Sequence, residues 1–163
     1  MPSRLIALVA VSAILLALIA LWLFGRDERV ILKRLTTLSE TVTMEEFNAI
    51  DTAMDAHAFT TFFTDPVTID CRYEDVDGIH SHDEFQNLFL QGRASAHTIR
   101  LYFDTPEFES CKGSKARLRT QATLTIHFKG AEPVQEQRNL ILDWEKHSGK
   151  WQIHQIQTPT PSK

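Results

Sequence analysis

The sequence is poor in residues that bend or cross-link a chain. Its 163 residues include six glycines, six prolines and two cysteines. So little glycine and proline argues against long disordered linkers. Neither Cys71 nor Cys111 belongs to a Cys-x-x-Cys pair or to a metal-ligand spacing, so the cysteines predict no zinc site. Cys71 alternates in phase with Val67 and Ile69, which is typical of a small core residue, and a disulfide to Cys111 is the alternative.

The sequence also lacks an excess of positive charge. Its 17 Lys and Arg residues are outnumbered by 21 Asp and Glu residues, which gives a formal net charge of -4. A nucleic-acid-binding domain normally shows a basic balance, so no nucleic-acid partner is predicted. The chain contains no glycine-rich phosphate loop, no Ser-His-Asp arrangement and no Cys-His nucleophile pattern. It therefore predicts no cofactor and no catalytic residue that a motif would reveal.

One long apolar run is present, from Leu5 to Phe24, and it reads LIALVAVSAILLALIALWLF. As a helix it would span about 30 Å, the thickness of the hydrocarbon core of a bilayer. A cleavable signal peptide is the main alternative, but it would need a small-x-small site after the run. Here the run ends in Trp22, Leu23 and Phe24 and is followed by Gly25 and a charge. The sequence therefore predicts an uncleaved single-pass membrane anchor at residues 5–24, preceded by a tail of residues 1–4.

The orientation of this anchor follows from two opposing signals. Arg4 lies before the run, whereas Arg26, Arg29, Lys33 and Arg34 follow it, and this bias alone would place the following domain in the cytoplasm. A short tail before the run and a long domain after it are, however, typical of a signal anchor, and long domains translocate largely regardless of charge. We expect an extracytoplasmic, periplasmic C-terminal domain.

Helical periodicity dominates the first half of the remaining chain. Residues 27–42 show apolar side chains at helical spacing. A second helix is predicted from Met44 to Phe63, with Thr43 as N-cap and Glu46 completing a capping box. Its apolar stripe should be Phe47, Ile50, Met54, Ala58 and Phe62. Ser81 and Glu84 predict a third capped helix.

The period then changes to two, which is typical of strands. The alternation covers residues 67–73, 97–108, 116–128, 134–144 and 151–156, with tight turns between the later strands. Helices, a strand pair, one more helix and then four antiparallel strands make an α+β order of elements. The final hairpin reads Gly149-Lys150-Trp151-Gln152-Ile153, and Gly78 leads into the helix that Ser81 caps.

This order resembles the nuclear transport factor 2-like superfamily, which includes the SnoaL-like and ketosteroid-isomerase-like cone folds. The resemblance covers about residues 28–158. It implies about three helices packed on a curved, mostly antiparallel sheet of five or six strands, around a cone-shaped cavity. It also implies frequent homodimers formed through the sheet. We place the domain at residues 25–158 and a flexible tail at residues 159–163.

The strand positions that share the inward parity supply the candidate site. They carry polar or aromatic side chains that could line the cone: Tyr73, Thr120, Glu136, Arg138 and Trp144. Glu136 and Arg138 could pair across the mouth and orient a polar or anionic ligand, or they could lie at an exposed strand end and meet water. Asp70 and Asp143 have the opposite parity, so no catalytic residue is predicted.

The histidines give no metal site by the same reasoning. His80 and His82 lie beside Asp83, which is a ligand-like spacing, but no clear third ligand accompanies them. The same residues make an ordinary entry to a helix. We therefore predict no metal.

Two functions from different classes remain. The first is a membrane-anchored, non-catalytic binding or scaffold domain, an accessory or assembly subunit of a larger complex of membrane proteins. The alternative is a small-molecule-binding protein or an isomerase-like or lyase-like enzyme that uses the cone. The partners expected for the first are the lipid bilayer and other membrane protein subunits.

Overall fold

The computed structural model describes residues 25–71 and 76–159. The predicted anchor at residues 5–24 lies outside these residues. Within the described ranges no helix is both long enough and apolar enough to cross a bilayer. Three helices and six strands occur there: α1 (residues 25–42), α2 (Ala49–Thr60), β1 (Phe63–Asp70), β2 (Gly78–His80), α3 (His82–Ser95), β3 (Ala96–Lys112), β4 (Lys115–Phe128), β5 (Val134–His147) and β6 (Lys150–Gln157).

The six described strands form one sheet in the order β2-β1-β6-β5-β4-β3. Every pair is antiparallel except β1 and β6, which run parallel. The predicted α+β cone, with three helices on a mostly antiparallel sheet, is therefore confirmed. Tight hairpins join β3 to β4 and β5 to β6. In the second hairpin, Ser148 and Gly149 both have positive φ, as a two-residue turn between twisted strands requires.

The core lies between α1 and the inner face of the sheet. Ile31, Leu35 and Leu38 recur at helical spacing on α1 and are buried. They belong to one cluster with the buried indoles of Trp144 and Trp151 on β5 and β6. Burying a side chain of this size contributes about 1.5–3 kcal/mol. α1 is therefore a core element of the domain.

Asp27 joins α1 to the hairpin between β5 and β6. Its Oδ1 accepts a hydrogen bond from Lys146 Nζ at 2.8 Å and one from Trp151 Nε1 at 3.0 Å. The bond from Lys146 lowers the pKa of the Asp27 carboxyl, and the bond from Trp151 lowers it further. The first turn of α1 is thereby held against the sheet.

The second helix differs from its prediction. It begins at Ala49 with Asn48 as N-cap, whose side chain accepts from the N–H of Ile50 at 2.9 Å. The predicted N-cap Thr43 instead accepts from the N–H of Leu101 at 3.2 Å, on strand β3. Met44 pairs with Ile99 through two backbone hydrogen bonds of 2.7 and 2.8 Å. Residues 43–44 therefore extend the sheet edge and cannot start a helix.

The predicted apolar stripe is only partly a core face, because Phe62 is buried but the residues at the start of the stripe are not. Ile50 is 73% exposed, Met54 is 68% exposed and Phe47 is exposed as well. The buried face of α2 consists of Thr52, Ala56 and Thr60. Small residues on this face let α2 lie close to its neighbours, and Phe59 packs against the ring of Phe63, whereas Ile50 and Met54 are left in solvent.

The third helix agrees with its prediction. The Ser81 hydroxyl accepts from the N–H of Glu84 at 3.3 Å, and Glu84 Oε2 accepts from the N–H of Ser81 at 2.9 Å, so the capping box is confirmed. On the inner face of α3, Phe85 packs edge-on against Phe63 with ring centroids 4.7 Å apart. Near its end, the side chain of Arg93 is buried among all three helices.

Candidate functional site

A cavity of about 310 Å³ opens into the cone between the inner face of the sheet and the segment that follows β1. Five strands contribute to its wall. Its lining is mostly apolar and consists of Ile69, Cys71, Val76, Leu101, Ala122, Leu124, Glu136, Arg138, Leu140 and Ile156. Its volume is at the lower end of cavities that bind small organic molecules.

Glu136 and Arg138 provide the charges of this cavity. They are two residues apart on β5, so both side chains leave the same face of the strand. Arg138 Nε donates to Glu136 Oε1 at 2.8 Å, and Nη2 donates to the same oxygen. The side chain of Arg138 is 31% exposed and that of Glu136 is 52% exposed, which places the ion pair at the rim of the cavity. The ion pair is therefore accessible to solvent, and either side chain could exchange its partner for a polar group of a ligand.

Thr120 and Trp144 lie elsewhere on the inner face. The Thr120 hydroxyl is buried and donates to the carbonyl oxygen of Asp104 at 2.8 Å, which joins β4 to β3. Trp144 is buried in the main core, and its indole N–H finds no acceptor among the described residues. Neither side chain is part of the cavity lining given above. Of the four predicted residues that the structure describes, it brings together Glu136 and Arg138.

Tyr73 lies outside the described residues, but the positions that flank its segment are well fixed. The Cys71 N–H donates to Asp77 Oδ1 at 2.7 Å, and the Thr158 hydroxyl donates to the Cys71 carbonyl oxygen at 3.3 Å. Cys71 and Val76 both line the cavity. Cys71 and Cys111 are not joined by a disulfide, so the disulfide alternative is wrong.

The described lining offers little for acid–base chemistry. The titratable groups along it are the Glu136 carboxylate and the Cys71 thiol, and the carboxylate lies at the rim against Arg138. The two histidines weighed above as metal ligands lie near backbone oxygens, since His80 Nε2 is 2.6 Å from the Val76 carbonyl oxygen and His82 Nε2 is 3.0 Å from the Phe63 carbonyl oxygen. What this arrangement can do is bind an apolar body and orient one polar group.

Sequence reasoning missed a polar groove of about 340 Å³ on the opposite face of the sheet. Asp143 lies in it, paired with Arg117 at 3.6 Å, and burial raises the pKa of the Asp143 carboxyl. The two residues are direct partners in the β4–β5 register. The turn at residues 129–133 could have revealed this pairing, because the turn of a hairpin sets the register of its strands.

Comparison with known proteins gives the fold. No protein-family model and no curated protein matches the chain in sequence. Solved structures do match in shape. A nuclear transport factor 2-like protein with a cystatin-like fold from Novosphingobium aromaticivorans has a TM-score of 0.66 at 10% identity, over 89% of this chain and 90% of that one.

Two further structures have named roles. A candidate aromatic ring hydroxylase from the same organism has a TM-score of 0.67 at 14% identity, over 84% of this chain and 90% of that one. The association domain of a calcium/calmodulin-dependent kinase from C. elegans has a TM-score of 0.60 at 13% identity, over 84% and 98%. Structural similarity at these sequence identities shows the fold and does not show the activity. The described domain has the nuclear transport factor 2-like, cystatin-like cone fold.

Proposed function

We propose that this chain is a membrane-attached, non-catalytic binding protein that holds a small, mostly apolar molecule in its cone. The observation that carries the proposal is the cavity of about 310 Å³, in which the lining is apolar except for Glu136 and Arg138 at the rim. A mostly apolar concavity with one or two placed polar groups is typical of a small-molecule site. The ligand expected has an apolar body and one polar or anionic group.

The absence of a catalytic role is supported by where the candidate groups lie. Thr120 is committed to the carbonyl oxygen of Asp104, and Trp144 is in the core. An enzyme of the isomerase or lyase class needs an acid or a base deep in the cone, within hydrogen-bond reach of the substrate. Glu136 is at the rim, where its carboxylate accepts a hydrogen bond from Arg138. The enzyme alternative keeps Tyr73 as its remaining candidate.

Attachment to the membrane is supported by the sequence of residues 5–24 and by the position of α1. The apolar run ends at Phe24, residues 25–42 are helical in the described part of the chain, and Asp27 joins this helix to β5 and β6. The proposed anchor would therefore lead into the domain without a flexible linker. Sodium carbonate extraction of full-length protein from membranes tests the attachment, and release into the supernatant would contradict it. Reaction of a cysteine introduced at exposed Ser148 with a membrane-impermeant reagent tests the periplasmic placement.

The cavity is best tested by filling it. Leu124→Trp places a large side chain in the lining, whereas Thr123→Trp adds the same group to the outer face of the same strand. Native mass spectrometry and thermal-shift titrations with aliphatic and aromatic carboxylates, each with its neutral amide, should find a ligand for the parent protein. We expect Leu124→Trp to weaken binding at least about tenfold and Thr123→Trp to leave it unchanged. Equal binding by both variants would contradict the proposal.

A second candidate, an accessory or scaffold subunit of a membrane complex, is favoured by the exposed stripe of α2. Ile50 and Met54 on α2, and Phe47 just before it, are large apolar side chains exposed in one region of the surface, as in many interaction sites. Purification of the full-length chain in mild detergent should then bring other membrane proteins with it, and Ile50→Asp should release them. A protein that runs alone in both forms would remove this candidate.

Self-association through the sheet is a further part of the proposal. The association domains among the similar structures are named for assembly. The outer face of β4 and β5 carries a polar but mixed-charge surface, on which Arg117 pairs with both Glu109 and Asp143. Light scattering of the detergent-solubilised chain should show a dimer, and Arg117→Glu should weaken it. A monomeric parent protein would contradict this part.

A further inference from the structure

Two tight hairpins and the start of α1 come together at one end of the domain. The Lys146 N–H donates to the Ser114 carbonyl oxygen at 2.8 Å, which joins the β5–β6 hairpin to the β3–β4 hairpin. Lys146 Nζ also donates to Asp27 on the first turn of α1. The pair Lys112 and Lys115 closes the first hairpin, and the pair His147 and Lys150 closes the second, with Lys146 one position before His147.

At this end of the described domain, positively charged side chains outnumber negatively charged ones. We call it the basic pole and define it by Arg26, Arg29, Lys112, Lys115, Lys146 and Lys150. The carboxylates among them are Asp27, Glu28 and Glu145, so the pole has an excess of three positive charges in a chain whose net charge is -4. Five of the six cationic residues are exposed, and the side chain of Lys115 is 78% exposed.

The other end of the same strands provides the contrast. The turn between β4 and β5 lies one strand length away from the β3–β4 and β5–β6 hairpins. For strands of 14 residues that distance is about 45 Å. The cavity rim at Glu136 and Arg138 lies close to this distant turn. The basic pole and the mouth of the cone therefore face opposite ends of the domain.

We propose that the basic pole is a docking surface for anionic phospholipid headgroups. This inference rests on the membrane attachment proposed above, because the run from Leu5 to Phe24 enters the described domain at Gly25, within this pole. Each Lys or Arg near an anionic bilayer surface raises the equilibrium constant for docking about fivefold. A nucleic acid is the other polyanion that such a surface could meet, but the overall acidic balance of the chain favours the bilayer.

Docking in this way would set the direction in which the ligand arrives. With the pole on the headgroups, the mouth of the cone would point away from the membrane. The ligand would then enter from the aqueous phase and not from the lipid.

A fluorophore at the pole tests the docking in the full-length chain. In a Cys111→Ser background, Ser148→Cys places a nitrobenzoxadiazole label between the lysines of the second hairpin, and Ala131→Cys places the same label at the distant turn. Nanodiscs of phosphatidylcholine, with or without phosphatidylglycerol, supply the surface. We expect phosphatidylglycerol to shift the emission of the Ser148 label to the blue and to leave the Ala131 label unchanged. Equal shifts at both positions, or none, would overturn the inference.

Variants that remove lysine charges at either end of the domain identify the groups responsible. Lys112→Gln with Lys150→Gln removes two charges from the pole and should lower the docked-to-undocked ratio about 25-fold. Lys129→Gln, at the distant turn, should leave it unchanged, and an equal loss there would count against the pole. Extraction of the chain from membranes by sodium carbonate would refute the proposed membrane attachment itself. A chain that stays inserted but shows no lipid-dependent shift would refute only the docking, and tight binding of double-stranded DNA or RNA at physiological salt would replace the bilayer as partner.

Discussion

Replacing Arg93 by leucine should be among the most damaging single changes outside the apolar core. The side chain of Arg93 is 3% exposed and joins three helices. Its Nη1 donates to Asp55 on α2 at 2.7 Å, and its Nη2 donates to the carbonyl oxygens of Thr41 and Thr43 at 2.5 and 3.3 Å. Its guanidinium also lies 4.8 Å from the ring centroid of Phe89.

The magnitude follows from what the substitution leaves behind. The Asp55 carboxylate is 37% exposed, so water can replace part of the lost ion pair. The carbonyl oxygens of Thr41 and Thr43 lose a donor at the end of α1, where no helical N–H follows to satisfy them. Breaking a buried charged network of this kind costs about 3–5 kcal/mol. The exposure of Asp55 puts our expectation at the lower end, about 3 kcal/mol.

Equilibrium unfolding in urea, followed by the fluorescence of buried Trp144 and Trp151, measures this loss. Arg100→Leu is the matched control, because Arg100 makes two hydrogen bonds of 2.9 and 3.1 Å to Glu45 but both side chains are about two thirds exposed. We expect the control to change the free energy of unfolding within experimental error. If both variants lower the free energy of unfolding by the same amount, burial does not explain the contribution of the Arg93 network to stability.

Three smaller changes test other parts of the structure. Asp27→Asn should cost about 1 kcal/mol at neutral pH, and because the pKa of Asp27 is lowered, the difference from the parent protein should close as the pH falls below the ordinary value of 3.8. A constant difference down to low pH would contradict the role of Lys146. Ser81→Ala should lower the unfolding free energy by about 1 kcal/mol through the lost capping box, and an unchanged urea midpoint would contradict it. Ile50→Gln should leave the midpoint within about 0.5 kcal/mol of the parent value, whereas a loss of several kcal/mol would mean that this face is buried.

The elements that could be predicted from the sequence are those whose signals are local. The capping box of Ser81 and Glu84 lies within four residues, and the alternation of β4 and β5 follows from neighbouring positions. The start of α2 was missed because Thr43 and Met44 are claimed by β3, more than 50 residues later. A capping pattern cannot reveal that a distant strand competes for the same backbone.

The candidate site could likewise be predicted only where its signal is local. Inward parity identified Glu136 and Arg138, which do lie on the cavity, because parity is a property of one strand. Parity does not report depth, so it could not separate the rim of the cone from the core that holds Trp144. The apolar lining includes Leu124, which shares that parity, and Ile156, which reaches the inner face because a register shift separates it from Ile153 on β6.

The position of β6 in the sheet has a consequence for how the chain is made. Ile69 on β1 pairs with Ile156 on β6, 87 positions later. A ribosome that adds about 5–20 residues per second needs on the order of ten seconds to cover that distance. Throughout this interval the side of β1 that will hold β6 has no neighbour, and the strand offers its backbone to any other extended chain. Synthesis that stalls before Lys150 would therefore release a product with an open sheet edge, which is prone to aggregate.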